Sequence, residues 1–325
     1  MKNLLAKWLS RKGYEFEKVR KYLKLSPKDY RKLIVGLSNT VEQKMCSKDW
    51  DNIKYSQVPS VAMNKYRKAF EKNDETRFNN YISNVIEGKE KINADVLFPH
   101  MLYDAYKRKD NQNAVEAQWN NLPDYMIGDE RVLPVCDVSG SMSGLPMSVS
   151  VSLGVYLSER NKGVFKDAFV TFSQSPKVQY LKGSLYERLR QLETADWGMN
   201  TNLEAVFNLI LKQAVKFSIP EDEMPTKILI ISDMEFDQAT NRDNTAFSMI
   251  KEKYDSVGYI MPEIIFWNVN GRLGNVPANS KHKGVGLVSG FSPSIMKSIL
   301  EGKIDTPYTL MLRTVLSDRY KPITI

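Results

Sequence analysis

The sequence predicts an α/β chain: a doubly wound, mostly parallel six-stranded sheet preceded by an all-α helical domain. Three observations carry this. Before about residue 125 apolar residues recur at helical spacing. From Arg131 onward short apolar runs alternate with helical patterns, the mark of a mostly parallel sheet covered on both faces. Two of those runs end in an aspartate, Asp137 and Asp233, as strands do when they deliver side chains to the carboxyl edge of an open sheet.

The helical part reads in order. Tyr14–Leu23 carries Phe16, Val19, Tyr22 and Leu23 on one face. Ser26 is a capping serine followed by proline at the first helical position, and the helix it opens is expected to run toward Met45. Val58–Phe70 starts a further helix, with Ser60 as its expected cap, and another runs from Glu75 to a stop at Gly88. Asn93–Tyr106 completes the set, with Pro99 beginning or kinking its main part. Antiparallel helix pairs are the simplest packing for segments of this length. A polar run, Lys107–Asn113, and a turn at Leu122-Pro-Asp124 then separate this part from the rest.

Strands follow at 131–137, 166–173, 177–182, 227–233, 263–269 and 284–289, with helices near 146–161, 185–193, 203–217, 244–256 and 293–301. Gln174-Ser-Pro176 joins the second and third strands as an antiparallel edge hairpin. The expected domains are 1–125, 126–302 and a C-terminal extension over 303–325, with a helical piece from Tyr308 to Tyr320 packing back on the body.

With 325 residues the chain can form two ordinary domains. No run approaches the roughly 18 apolar residues of a membrane helix, so no membrane partner is expected. The N-terminus lacks the apolar core of a secretory signal, and no Asn-x-Ser/Thr acceptor occurs. Cys46 and Cys136 fall in different expected domains, so no disulfide framework is indicated and a cytoplasmic location is expected. The net charge of +8 is uneven: residues 1–70 hold 17 Lys and Arg against 6 Asp and Glu.

The candidate site is built from three segments. Arg131–Gly144 runs from an apolar strand into a loop that presents Asp137, Ser139 and Ser141, with Pro146 where the next helix begins. Trp197-Gly-Met-Asn-Thr-Asn202 places Thr201 just ahead of a helix, and Lys227–Glu235 is a second strand ending in Asp233. Carboxylates and hydroxyls suit a hard, oxygen-preferring divalent ion. A plainer reading remains open, in which the aspartates cap neighbouring helices and the serines satisfy loop amides. Asn202, Asp196 and Glu235 are near the same edge in sequence, where loop solvation explains them as well.

In order and type, Asp137-x-Ser139-x-Ser141, Thr201 and Asp233 resemble the metal-ion-dependent adhesion site of von Willebrand factor A domains. That resemblance implies hydroxyl ligation by Ser139 and Ser141, direct or water-mediated binding by Thr201, and Asp137 and Asp233 acting mostly through ordered waters. It implies Mg²⁺, or Mn²⁺ or Ca²⁺, with an open position for an acidic residue of a protein partner. A helical region joined to such a domain resembles the Ro autoantigen family, in which an RNA-binding TROVE module accompanies an A domain. Val58–Phe70, Gly88–Ile92, Leu97-Phe-Pro-His100, Phe266-Trp-Asn268 and Val288–Ser292 look closer to uncharacterised TROVE-like relatives.

For nucleic acid, the basic segment offers Lys18, Arg20, Lys21, Lys24, Lys28, Arg31, Lys32, Lys65, Arg67 and Lys68, with Tyr14, Tyr22, Tyr30 and Tyr66 interleaved. Cations for phosphates and rings for stacking are what a small structured RNA needs. The alternative is that the lysines face water while the rings, Tyr22 and Tyr66 above all, sit in helix-packing faces. Catalysis is not expected. His100 and His282 lack partners at metal-ligand or triad spacing, Ser139 has no evident base, and there is no Walker-type loop. Gly284-Val-Gly286 departs from dinucleotide-fingerprint spacing. The reading is a non-enzymatic, metal-dependent binding protein with RNA as one ligand; the alternative is a scaffold that captures an acidic partner and no RNA.

Overall fold

The computed structural model describes residues 6, 8–126, 128–172, 175–195, 203–233, 243–270, 285–290, 293–300, 312, 315 and 316. By contact the chain divides into two compact units, Met1–Ala94 and Asp95–Ile325.

The first unit contains helices α1 (Gly13–Tyr22), α2 (Pro27–Leu37), α3 (Val41–Cys46), α4 (Ser60–Asn73) and α5 (Glu75–Ile86). Ser26 caps α2 as expected, its hydroxyl accepting from the Asp29 amide at 3.1 Å. The single helix expected from Ser26 toward Met45 is instead broken after Leu37, where the Ser38 hydroxyl donates back to the Ile34 carbonyl at 2.5 Å. Ser38-Asn39-Thr40 is a run of residues whose side chains compete with the helical ladder. Gly88 stops α5 in the left-handed region, φ +74. The core is aromatic: the Tyr55 ring lies 5.2, 5.3 and 5.4 Å from Phe70, Phe78 and Tyr81. Its hydroxyl donates to Asp74 at 2.7 Å, and Arg77 donates to the same carboxylate at 2.9 Å.

The second unit begins with α6 (Pro99–Lys107) and α7 (Gln112–Asn120), followed by β1 (Val132–Cys136) and α8 (Leu145–Arg160). Strands β2 (Ala168–Thr171) and β3 (Val178–Tyr180) precede α9 (Leu185–Glu193), α10 (Leu203–Phe217) and β4 (Lys227–Ser232). Then come α11 (Asp243–Ser256), β5 (Glu263–Asn268), β6 (Val285–Ser289) and α12 (Pro293–Leu300). The sheet order is β3-β2-β1-β4-β5-β6, parallel except for the β2–β3 hairpin. This is the α/β sheet expected from the alternation of elements.

Every residue of β1 and β4 is buried, which is why β1 and the Ile228–Ile231 centre of β4 read as unbroken apolar runs. Leu133, Val135, Ile228, Ile230, Ile264 and Phe266 face a layer containing Val206, Phe207 and Ile210 of α10 and Ile250 and Tyr254 of α11. Helix α8 covers the opposite face and packs on β1. Its Gly154 permits this, because a Cβ there would lie 2.5 Å from Cys136 Sγ. Pro134 sits in a strand with neighbours on both sides, an unusual place for a residue without an N–H. It is tolerated because the bridges to β2 begin only at Val135, so the ladder on that side does not draw on an N–H from Pro134.

Helices α6 and α7, which the sequence groups with residues 1–125, fall in the second unit by contact. Leu102, Tyr103 and Ala105 of α6 are buried, and α6 packs on α8 and α7. The Trp119 indole of α7 stands edge-on to Tyr156 and donates to Glu159 at 2.7 Å. The extension expected over 303–325 lies outside the described residues except for Leu312, Val315 and Leu316.

Candidate metal centre

The carboxyl ends of β1 and β4 meet where the chain reverses its direction of travel across the sheet, the place where open α/β sheets bind ligands. Register sets what arrives there. Cys136 pairs with Ile231, and the Asp137 amide continues the ladder by donating to the Ile231 carbonyl at 3.0 Å. Asp137 therefore stands beside Ser232, with Asp233 one residue further along β4. Both aspartates are buried, at 5% and 3% exposure.

The Asp137 carboxylate is held by neutral donors. Oδ1 accepts from the Ser139 amide at 2.9 Å and Oδ2 from the Ser232 hydroxyl at 2.7 Å. In the following loop the Ser139 and Ser141 hydroxyl oxygens lie 3.0 Å apart. Burial raises the pKa of Asp137, and the charge of Asp233 raises it further, against the lowering by Ser139 and Ser232. None of the groups that favour its ionised form is a cation. Two buried carboxylates and two hydroxyls at the end of a sheet form a hard-oxygen donor set that fits a partly hydrated Mg²⁺. Among the described residues no group of three or more His, Cys, Asp and Glu side chains gathers, so the soft or imidazole-rich sites of zinc are not formed there.

Of the five predicted ligands, the structure brings Asp137 and Asp233 to one edge, with Ser139 and Ser141 on the loop that follows β1. Thr201 lies outside the described residues, as do Asn202, Asp196, Glu235 and His282. Ser232 is a member the sequence reading missed. The signal was there, since a serine immediately before Asp233 falls level with Asp137 once the strands pair. His100 lies 5.3 Å from the Phe98 ring, and burial lowers its pKa.

In the basic segment, Lys18, Lys21, Lys24, Lys28, Arg31, Lys32, Lys65 and Lys68 are exposed. Two of the candidate cations are not presented in this way. Arg67 is fully buried, with Asn64 accepting from its guanidinium at 3.3 Å, and Arg20 is tied to Glu17 at 2.5 Å and the Leu25 carbonyl at 2.9 Å. Tyr22, expected on a packed face, is 86% exposed, whereas Tyr30 is in the core against Phe16.

Residues 131–315, more than half of the chain, match the family described as Domain of unknown function (DUF7788). The chain belongs to that family. Residues 4–128 match a second, Domain of unknown function (DUF2828). The two matches meet between α7 and β1, whereas packing joins α6 and α7 to the DUF7788 part. Among curated proteins, Uncharacterized protein L728 of Acanthamoeba polyphaga mimivirus is 28% identical over 99% of this chain. The chain spans 62% of that relative's length. The crystal structure of the Deinococcus radiodurans RO (RSR) protein is similar with a TM-score of 0.47 and 14% identity, over 89% of this chain and 64% of that one. Within the DUF7788 part, Asp137 and Asp233 directly follow the first and fourth strands, Ser232 ends the fourth, and Ser139 and Ser141 lie on the loop after the first.

Proposed function

We propose that this is a non-enzymatic binding protein that engages a protein partner through a divalent cation held by Asp137, Ser139, Ser141, Asp233 and Thr201. The observation that carries the reading is the pair of buried aspartates just past the ends of adjacent strands, with neutral hydrogen-bond donors fixing Asp137. Mg²⁺, or Mn²⁺ or Ca²⁺ in its place, would supply the positive charge that such a pair needs. With hydroxyls as main ligands the ion keeps residual charge for a carboxylate from the partner. Calorimetric titration of Mn²⁺ into the wild type and Asp137→Ala tests this: heat in the wild type alone supports the site, and matching traces remove it.

A second reading, RNA binding by the first unit, rests on α1. Tyr14, Lys18 and Tyr22 repeat every fourth residue along one helix face, with the rings 76% and 86% exposed and Lys18 Nζ 5.9 Å from the Tyr14 ring centre. Binding of small structured RNAs at physiological salt tests it. Affinity lost on Tyr14→Ala and Tyr22→Ala supports stacking, while an unchanged affinity with a steep salt slope reduces it to general charge.

A further inference from the structure

A groove of about 710 Å³ runs from the candidate metal loop to α6, with Ser139, Leu145 and Met147 on one side and Tyr103, Asp104 and Lys107 on the other. Its size suits a few residues of an extended peptide. One wall comes from α6, which precedes the sheet in sequence. That wall is fixed: Glu193, the last residue of α9, accepts from the Tyr103 hydroxyl, from Tyr106 at 3.1 Å and from Lys107 at 3.2 Å. The Lys107 charge is thereby matched within the protein. Asp104, half-buried on the same helix, forms no ion pair among the described residues.

Resting on the metal reading above, we propose that the groove selects a partner segment bearing two opposite charges, its carboxylate on the metal and a lysine or arginine a few residues away on Asp104. Leu145, 46% exposed, and Met147 offer apolar surface for the methylene stem of such a cation. A segment with only an acidic residue would leave Asp104 facing the partner without a counter-charge, so Asp104 is a specificity residue rather than a metal ligand.

The test uses the full chain, immobilised with Mg²⁺, and a displayed library of random heptapeptides eluted with EDTA. The expected result is enrichment of peptides carrying an acidic residue and a Lys or Arg at one fixed spacing. On Asp104→Lys the basic position should be lost. For a selected peptide, Asp104→Asn should weaken binding about five-fold by fluorescence anisotropy, the scale of a partly exposed ion pair, and leave Mn²⁺ calorimetry unchanged. Acidic clones with no fixed basic position, the same clones on wild type and Asp104→Lys, or no EDTA-eluted clones from a protein that binds Mn²⁺ would each overturn the groove proposal alone. Absence of Mn²⁺ heat in the wild type would overturn the metal reading and this one with it.

Discussion

Gly154→Ala puts two familiar effects in opposition. In a helix interior the exchange should stabilise by about 1 kcal/mol, because alanine loses less backbone freedom on folding. Here the new methyl would stand 2.5 Å from Cys136 Sγ and 2.9 Å from Leu192 Cδ1. The leucine tip can rotate away. The thiol cannot do so easily, since Cys136 is completely buried in the middle of the sheet. Overpacking of this kind costs about 1–3 kcal/mol, so after the propensity gain the net change should be a loss of about 0–2 kcal/mol. Urea denaturation followed by tryptophan fluorescence measures it. The structure also specifies the remedy: Cys136→Ala vacates the volume that the methyl requires. The double variant should recover about 1 kcal/mol or more relative to the sum of the single changes, as expected for residues in direct contact. A Gly154→Ala protein more stable than wild type, or strict additivity in the cycle, refutes the claimed approach of α8 to β1.

Mg²⁺ at a hundred-fold excess over its dissociation constant should stabilise the protein by about 2.7 kcal/mol; for a unit of this size that is roughly 5–10 °C in Tm. Differential scanning fluorimetry should find the shift in wild type and none in Asp137→Asn. Trp119→Phe deletes the 2.7 Å hydrogen bond to Glu159, whose pKa burial already raises, and should cost about 1–2 kcal/mol in urea melts. The His100 pKa is depressed in the fold by burial, so its contribution to stability is present above the ordinary value of 6.5 and is lost as pH falls toward the depressed value. Melts between pH 7 and 5 should therefore slope less in His100→Gln than in wild type.

The sheet was legible because its strands are buried on both faces. Lys227–Ser232 needs no alternation to be recognised, and the parallel order follows from the helices between strands. The aspartates were legible for the same reason, being the first charged residues after apolar runs. What escaped depends on partners that a linear pattern cannot display. Arg67 reads as a surface cation, yet it is interior, with Asn64 one turn away accepting from it. Tyr22 falls on the apolar stripe of α1, but that helix buries no residue fully, so the stripe's end is left in water. Helix α7 was hidden behind the polar run at its start, where Asn111 accepts from the Ala114 amide and so caps the helix rather than merely loosening the chain. Ser232 became visible only through register, and Asp104 only through the groove.

The docking of α6 and α7 onto the α/β unit bears on how this protein should be cut for study. A fragment begun at the edge of the family match, residue 131, would shear away Leu102 and Trp119, which are 0% and 1% exposed, and bare the α8 surface they cover. It would also leave Glu159 without its indole donor and Glu193 without two tyrosines and a lysine. Such a fragment should aggregate on expression, whereas one begun at Asp95 keeps that seam closed and is the shorter piece on which metal and peptide chemistry can be measured.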